Sequence, residues 1–420
     1  MSQAVLDVTE IPDQYSLALD ELNVARPELF QNDVHWRYFE RKRNEDPVHY
    51  CAESDFWPFW SVTKFADILY VDSHHDIFSS EGGITLGPPV KQTNTDTGFR
   101  PKMFIAMDPP KHDVQRTTVT PVVAPRNLAK LESTIRERAG EILDALPRDE
   151  TFDWVDTVSV ELTTQMLATL FDFPFEERRK LTRWSDVATA IPGGGIIETH
   201  EQRREELLEC LEYFTRLWNE RVNSEPGNDL ISMLAHGEET RHMQPMELLG
   251  NLILLIVGGN DTTRNSISGG VLALNQNPGE YQKLRDNPDL IPTMVAEIIR
   301  WQTPLAYMRR TALVDTELRG KQIKAGDKVI MWYVSGNRDD EVIENPDAFI
   351  IDRANARHHL SFGFGIHRCM GNRLAEMQLR VVWEEILKRF HTVEVVGEPE
   401  RTYSSFVKGY THLPVQVHDH

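Results

Sequence analysis

The chain has 420 residues, of which 40% are hydrophobic and 26% charged, a composition typical of a globular protein with a substantial core. Its formal net charge of −20 argues against nucleic acid or an anionic membrane surface as a partner, because phosphates and acidic headgroups would be repelled. The three cysteines, Cys51, Cys210 and Cys369, lie far apart and give no disulfide framework, which favours a reducing compartment. No apolar leader and no run near the ~20 residues of a bilayer span occur, so the sequence predicts a cytoplasmic protein without a membrane span.

Helical periodicity dominates the pattern along the chain. The clearest predicted helices, in chain order, are 128–146, 157–171, 200–223, 245–275 and 374–390. Shorter runs that favour strands are 59–63, 328–334, 393–396 and 413–417. Clusters of glycine, proline or polar residues predict loops at 87–98, 192–195 and 223–228. The sequence therefore predicts one mainly α-helical domain with small β-sheets (α+β) over residues 1–420, in which 1–42 form an N-terminal extension, either packed on the domain or flexible.

Two motifs place polar side chains on one face of a helix. His112 and Arg116 follow Pro109 and Pro110 at a spacing of four residues, so a helix beginning after the prolines would present both on one side. Glu297 and Arg300, three residues apart, can pair in the same way. Taken alone, each motif is also compatible with a solvated surface feature.

The apolar centre of the longest predicted helix is interrupted by glycines and polar residues, Gly258-Gly259-Asn260-Asp261-Thr262. Glycines inside a helix each cost ~1 kcal/mol relative to alanine, so they indicate close approach by a ligand or a local distortion. Gly258, Asp261 and Thr262 fall at positions i, i+3 and i+4, which share one face. The alternative is a helix–helix contact with a hydroxyl bonded to the preceding turn. We favour a functional site because of the cysteine loop that follows later in the chain.

That loop runs from Ser361 to Gly371 with the sequence Ser-Phe-Gly-Phe-Gly-Ile-His-Arg-Cys-Met-Gly, directly before the last predicted helix. A thiolate near a helix N-terminus is stabilised by amide dipoles, which lower its pKa. The neighbouring glycines let the backbone approach a flat cofactor and donate hydrogen bonds to the sulfur. A lone cysteine cannot build a zinc or iron–sulfur site, so a single-thiolate metal such as haem iron is favoured over a buried structural cysteine.

At this loop the sequence resembles the cytochrome P450 family. The family's haem-ligand pattern, Phe-x-x-Gly-x-x-x-Cys-x-Gly, is met by Phe362, Gly365, Cys369 and Gly371. The resemblance extends from about residue 43 to the C-terminus. It implies the family's single-domain fold with haem b (iron protoporphyrin IX) between the long central helix and the cysteine-loop helix, and Cys369 as the axial ligand of the iron.

The resemblance assigns roles to the central helix and to the polar motifs. It implies that Gly258 opens a groove over the iron, that Thr262 hydrogen-bonds dioxygen and that Asp261 belongs to the proton path. The side chains that it implies for the haem propionates are His112, Arg116, Arg310 and His367. Many family members have arginine where His367 stands, and the histidine follows the bacterial pattern. The resemblance also implies a buried, structural network that supports the haem loop, formed by Glu297, Arg300 and Arg353.

The source of electrons must lie outside the chain. Gly193-Gly194-Gly195 lacks the spacing and strand context of a dinucleotide-binding loop, and no flavin module is fused. The resemblance to soluble bacterial members implies a ferredoxin and an NAD(P)H-dependent ferredoxin reductase as partners. Arg368, Arg373 and neighbouring cations near the cysteine are the expected docking face.

The resemblance also places a substrate pocket, and its residues are mostly apolar. The pocket candidates are Ile84, Leu86, Leu254, Val257, Leu305, Met308 and Phe406, together with Met103, Ile191, Ile196 and Ile197. Such a pocket fits a hydrocarbon-like small molecule, although any one of these residues is equally compatible with an ordinary core position. The central-helix and cysteine-loop strings look most like those of bacterial alkane and fatty-acid terminal hydroxylases. We therefore predict terminal (ω) hydroxylation of n-alkanes or fatty acids.

Three alternatives stay open at this point. One is terminal oxidation of a sterol or methyl-branched lipid side chain, since the motifs are also similar to those of the actinobacterial steroid side-chain hydroxylases. Another is a peroxide-driven enzyme, against which the presence of both Asp261 and Thr262 argues. The third is a haem-binding sensor or electron carrier, which would not need an acid–alcohol pair beside an apolar pocket.

Overall fold

The structure of the protein is a computed structural model that describes residues 11–54, 56–87, 99 and 101–420. Of the predicted loop 87–98, only Gly87 lies within the described residues, and residues 1–10 of the predicted N-terminal extension lie outside them. No helix in the part of the chain that the structure describes is both long and apolar enough to cross a membrane.

The described residues form fourteen α-helices. They are α1 (Pro27–Gln31), α2 (His35–Glu45), α3 (Phe65–Ser73), α4 (Lys111–Val119), α5 (Pro125–Asp144), α6 (Glu161–Phe171), α7 (Arg179–Thr189), α8 (His200–Val222), α9 (Leu230–His236), α10 (Pro245–Gln276), α11 (Pro278–Asp286), α12 (Ile291–Gln302), α13 (Tyr333–Gly336) and α14 (Asn372–Arg389). Most of the core lies between these helices, so the structure agrees with the predicted mainly α-helical class.

The strands are short and form four small sheets. They are β1 (Val48–Cys51), β2 (Phe59–Val62), β3 (Phe78–Ser79), β4 (Phe152–Asp153), β5 (Met308–Ala312), β6 (Thr316–Leu318), β7 (Lys321–Ile323), β8 (Lys328–Met331), β9 (Phe390–Val395), β10 (Glu400–Arg401), β11 (Tyr410–His412) and β12 (Pro414–Asp419). The largest sheet has the order β1-β2-β8-β5-β3, with β2 and β8 parallel and the other pairs antiparallel. The second has the order β4-β12-β9, and β6-β7 and β10-β11 are hairpin-sized pairs.

The predicted helices and strands are confirmed in kind, and their boundaries shift by a few residues. The predicted helix at 157–171 divides, because Val155–Val160 forms a π-helical turn before α6 begins at Glu161. The predicted strand at 328–334 ends at Met331, and the chain turns into the short helix α13. A run of apolar residues does not distinguish a strand from a buried helical turn, which is why the sequence extended this strand too far.

Helix α10 runs through the centre of the molecule and packs against α6, α7, α12 and α14. Small residues on α10 permit these close contacts. A Cβ atom on Gly259 would lie 2.7 Å from Leu167 of α6, and one on Gly270 would lie 2.8 Å from Ile298 of α12. The neighbours of α10 are thereby held at fixed distances from its polar centre.

The described part of the N-terminal extension, residues 11–42, packs on the domain. Leu29, Phe30 and Phe39 are at most 2% exposed and form a second core cluster with Trp332, which follows β8. The rings of Phe39 and Trp332 lie 5.1 Å apart between centroids. Residues 11–42 therefore contribute to the second core cluster.

Candidate active site

A cavity of about 900 Å³ lies between the centre of α10 and the loop that precedes α14. Gly258 and Thr262 line it from α10, and Cys369 and Gly371 line it from the loop. The residues from these two distant stretches, both singled out in the sequence, thus face one internal space.

The cysteine loop is held in a tight conformation by its backbone. The Cys369 N–H donates to the carbonyl oxygen of Phe362 over 2.8 Å. Gly363 and Gly365 both have φ of +64°, a left-handed conformation that favours glycine. A Cβ atom on Gly365 would lie 2.4 Å from the carbonyl oxygen of Asp72 in α3. The glycine spacing in the motif is therefore required by backbone conformation and by the close approach of α3.

The Cys369 thiol faces the cavity. Cys369 lies in the interior of the protein, and its exposed surface is the part that borders this cavity. Burial raises the pKa of this thiol, while a hydrogen bond from the Gly371 N–H and the charges of Arg116 and Arg368 lower the pKa. The Gly371 amide acts on the thiol in the direction that the sequence predicts, and burial opposes it. A metal ion bound directly to the sulfur would deprotonate it outright.

The other two cysteines lie away from the cavity. Burial raises the pKa of Cys51 to about 11, and it also raises the pKa of Cys210. No group of three or more His, Cys, Asp or Glu side chains among the described residues could hold a metal ion.

Two buried histidines beside the cavity have ring nitrogens without partners. His112 is 1% exposed and His367 is 8% exposed, and their ring centroids lie 4.3 Å apart. The Nδ1 atom of His112 lies 2.8 Å from Asp113, but its Nε2 and both ring nitrogens of His367 have no hydrogen-bond partner within the described ranges. Burial, followed by the charge of Arg310, lowers the pKa of His367 to about 2. Buried donors without acceptors are costly, so these rings fit an anionic group such as a haem propionate.

The two arginines predicted for the propionates also line the cavity. Arg116, on α4, donates to the Arg368 carbonyl oxygen over 2.5 Å. Arg310, on β5, donates through Nη2 to Oδ1 of Asp72 over 2.7 Å. The sequence analysis did not predict the Asp72 contact, because residues 72 and 310 share no motif.

Thr262 and Gly258 face the cavity from the same side of α10. The Thr262 hydroxyl donates to the Gly258 carbonyl oxygen over 3.0 Å. A Cβ atom on Gly258 would meet nothing within 4 Å, so no protein contact requires a glycine there. The sequence offered two explanations for the glycines of α10, close approach by a ligand and a local distortion of the helix. Because α10 is continuous through this region, close approach by a ligand is the better explanation for Gly258.

Asp261 does not line the cavity, and in this respect the expectation of one shared face is wrong. The carboxylate is fully buried and accepts hydrogen bonds from Ser185 over 2.8 Å and Thr189 over 3.3 Å, both on α7. Thr189 does line the cavity, so it links Asp261 to that space. Burial raises the pKa of Asp261, and the charge of Arg264, 3.0 Å away, opposes this rise. Sequence reasoning missed both α7 hydroxyls, which belong to no motif.

The predicted network around Glu297 is present and buried. Both carboxylate oxygens of Glu297 accept hydrogen bonds from Arg300 over 2.7 Å, and Arg353 donates to the same carboxylate over 3.1 Å. Arg300 also donates to the Asn337 carbonyl oxygen over 2.8 Å. The Asn337 side chain contacts Ser361 at the start of the cysteine loop over 2.9 Å. The network therefore supports that loop and does not reach the cavity through Glu297.

Most of the predicted pocket residues line the cavity. They are Ile84, Met103, Leu254, Val257, Leu305, Met308 and Phe406. Leu86 is absent from the described lining and packs against the second core cluster beside the cavity. Ile191, Ile196 and Ile197 are also absent from the described lining, and Ile197 is a core residue at 1% exposure. Near this segment, the residues that line the cavity are Ala188 and Thr189 at the end of α7.

Comparisons with known proteins agree with this geometry. A family model described as Cytochrome P450 matches residues 191–409. Linalool 8-monooxygenase of Pseudomonas putida is 36% identical over 405 residues, which cover 94% of this chain and 99% of that protein. Methyl-branched lipid omega-hydroxylase of Mycobacterium bovis is 32% identical over 423 residues, which cover 96% of each protein. The solved structure of CYP153D17 from Sphingomonas sp. PAMC 26605 is 52% identical, covers 95% of this chain and 100% of that one, and superposes with a TM-score of 0.89.

The fold, the cysteine loop and the match over nearly the whole chain lead to one conclusion. The chain belongs to the cytochrome P450 family.

Proposed function

We propose that this cytochrome P450 monooxygenase hydroxylates the terminal carbon of n-alkanes or fatty acids. The observation that carries the proposal is the cavity of about 900 Å³, which joins Cys369 to Thr262 and is otherwise bounded mainly by apolar side chains. The overall reaction consumes the substrate, O2, two electrons and two protons, and it yields the alcohol and water. Different parts of the site would bind the cofactor, deliver protons and position the substrate.

The proposed cofactor is haem b, and the thiolate of Cys369 would hold its iron. When bound, the haem supplies the activation of dioxygen that allows one oxygen atom to enter a C–H bond. His112 and His367 would donate to the propionates through the ring nitrogens that lack partners, and Arg116 and Arg310 would add positive charge. The small side chain of Gly258 would leave room on the α10 side of the cofactor.

Protons would reach the cavity through Asp261 and Thr262. Asp186, whose side chain is 26% exposed, pairs with Arg264 over 2.6 Å, and this guanidinium stays charged and positions the relay without carrying a proton. Arg264 pairs in turn with Asp261, and Thr189 connects Asp261 to the cavity. Thr262 would present its hydroxyl oxygen to the cavity while its proton is held by Gly258. A defined relay delivers protons without opening the site to bulk water, which limits wasteful side reactions.

Selectivity for a terminal carbon would come from the shape of the cavity. An internal C–H bond of an alkane is weaker than a terminal one, so an unconstrained oxidant attacks inside the chain. Val257 and Leu305 are the proposed constriction. Leu305 is well fixed, since its backbone pairs with Val407 in a β-bridge and the next residue, Ala306, donates to the Phe406 carbonyl oxygen over 2.8 Å. A rigid turn can hold a bulky side chain where only a methyl group passes.

The named relatives support oxidation at the end of a chain. The Mycobacterium bovis relative is named for omega-hydroxylation of methyl-branched lipids, and the Pseudomonas putida relative for oxidation of linalool at position 8. The first name supports a methyl-branched lipid as the second candidate substrate, and a sterol side chain stays an alternative from the sequence motifs. A sensor or electron carrier is a weaker candidate, because it would not need a large apolar cavity beside Thr262.

The electrons are proposed to come from a ferredoxin and an NAD(P)H-dependent ferredoxin reductase. Arg368 and Arg373 are exposed close to the Cys369 loop and would form part of the docking face. A cytoplasmic location stays a prediction from the sequence.

Product analysis tests the proposal. The holoprotein with a ferredoxin and its reductase is supplied with NADH and, separately, octane, dodecanoic acid, a methyl-branched fatty acid or a sterol. We expect NADH consumption to rise with octane or dodecanoic acid, and gas chromatography to show mainly the 1-alkanol or the ω-hydroxy acid. Turnover of the branched lipid or sterol alone would favour the second candidate. Equal NADH consumption with and without every substrate would favour a sensor or carrier.

A further inference from the structure

Asp72 is a buried carboxylate at an unfavourable position. It lies in the last turn of α3, where the helix dipole disfavours negative charge, and only 3% of the residue is exposed. A buried charge persists only when its partners compensate for the lost water. Its partners are therefore informative, and they come from three other parts of the chain.

Three donors converge on the Asp72 carboxylate. Oδ1 accepts from Arg310 over 2.7 Å, and Oδ2 accepts from the Tyr333 hydroxyl over 2.8 Å. Oδ2 also accepts from the backbone N–H of Phe364 over 2.7 Å. Phe364 lies in the cysteine loop, five residues before Cys369. One carboxylate therefore ties a cavity-lining arginine to the loop that carries the thiol.

The groups around Asp72 restrict the positions of the Arg310 guanidinium and of the cysteine loop. Arg310 is 2% exposed, and its Nη1 donates to the Arg309 carbonyl oxygen over 3.0 Å, so both ends of the guanidinium are held. The Cβ of a larger residue at Gly363 would lie 3.2 Å from Asp72 Oδ2. The position of the guanidinium and that of the loop are consequently set by the same group.

We infer that Asp72 is a positioning residue for the haem, acting through Arg310 and the cysteine loop, and that it lowers the reduction potential of the iron. Its negative charge offsets part of the positive charge that Arg310 presents to the cavity, so less charge remains to stabilise the reduced state. This inference rests on the proposed contact of Arg310 with a haem propionate and is independent of the proposed substrate.

Asp72→Asn tests the inference through the reduction potential of the holoprotein, measured by spectroelectrochemical titration. We expect the equilibrium constant for one-electron reduction to rise about tenfold, which corresponds to ~59 mV. The matched control is Asp67→Asn on the same helix, because this variant removes the same charge from a carboxylate whose ion-pair partner is the exposed Arg319. A potential unchanged in Asp72→Asn, or shifted equally in Asp67→Asn, would overturn the inference.

A double-mutant cycle with Arg310→Gln separates the route through Arg310 from a direct charge effect. We expect Asp72→Asn to shift the potential less than half as much when Arg310 is already replaced. An undiminished shift would overturn the route through Arg310. If Arg310→Gln alone changes neither the potential nor the rate of haem loss, Arg310 does not hold the haem and the inference fails with it. The product profile of the wild type would still decide the proposed substrate.

Tyr333→Phe provides a second measurement if Asp72→Asn does not retain haem. This variant removes one donor to Oδ2 and leaves the carboxylate charge in place. With fewer donors, the carboxylate compensates Arg310 more fully, so we expect a shift to lower potential, opposite in sign to that of Asp72→Asn. An unchanged or raised potential would contradict the inference.

Discussion

The hydroxyl of Ser185 donates a hydrogen bond of 2.8 Å to a carboxylate oxygen of Asp261 in the interior of the protein. Ser185 belongs to α7 and Asp261 to α10, and both side chains are excluded from bulk solvent. The contact turns the Asp261 carboxylate toward α7 and away from the cavity that Thr262 faces. Asp261 and Thr262 are neighbours in sequence but would act at different stages of proton delivery.

Asp261→Asn is expected to slow substrate turnover by about a hundredfold, because the amide keeps the shape of the carboxylate but cannot pass a proton on. Thr189→Val should give a smaller loss, since it removes only the hydroxyl that joins Asp261 to the cavity. Both are measured as steady-state product formation, with a solvent deuterium isotope effect that grows in Asp261→Asn. Wild-type turnover with an unchanged isotope effect in Asp261→Asn would exclude this carboxyl group from the relay.

Thr262→Ala is expected to leave haem content and substrate affinity nearly unchanged and to divert roughly half or more of the NADH-derived electrons to hydrogen peroxide, since the relay loses the hydroxyl that faces the cavity. Thr262→Ser is the matched control, because it keeps the hydroxyl and should keep most of the coupling. Peroxide and product are quantified against NADH consumed. Full coupling in Thr262→Ala would remove this hydroxyl from the mechanism.

Leu305→Ala and Val257→Ala are expected to shift the product of octane from 1-octanol toward 2-octanol, because a wider cavity lets the weaker secondary C–H bond reach the oxidant. A misplacement of ~1 Å can change a rate by about a hundredfold, so a visible change in product ratio is reasonable. Leu86→Ala is the control, since Leu86 is an apolar residue next to the cavity that is absent from its described lining. Unchanged terminal selectivity in both cavity variants would show that the constriction lies elsewhere.

Glu297→Gln is expected to lower the free energy of unfolding by about 3–5 kcal/mol, because it leaves Arg300 and Arg353 without their buried carboxylate. The comparison variant is Glu376→Gln, whose partner Arg357 has a side chain that is 73% exposed, and its loss should be about 0–1 kcal/mol. Denaturant titration of both holoproteins measures the difference. Equal midpoints would mean that the Glu297 network does not support the fold.

The parts of the site that are contiguous in sequence could be predicted before the structure. The conformation of the cysteine loop could be predicted from ten neighbouring residues. Left-handed glycines and the start of a helix depend on the local sequence alone. The co-facial pair His112 and Arg116 follows equally from helical spacing on α4. Hydrophobic periodicity, which is also local, predicted the positions of nearly all the longest helices.

Contacts between distant segments could not be predicted in that way. Asp72 meets Arg310 across 238 positions, and Asp261 meets Ser185 across 76, with no motif at either partner. An apolar loop residue such as Leu86 is equally suited to the cavity or to the adjacent core, and only the path of the chain decides between them. Burial of the Cys369 thiol, which raises its pKa, is likewise a property of the whole fold.

The most direct test of the central claim is the absorption spectrum of the reduced, carbon-monoxide-bound holoprotein. Cys369 is the one cysteine of the three whose described surroundings include the cavity and the glycine loop. We predict the red-shifted Soret band of thiolate-ligated haem in the wild type and in Cys210→Ser, and its loss in Cys369→Ser. A normal thiolate band in Cys369→Ser would contradict the assignment of Cys369 as the haem ligand and, with it, the account of the site given above.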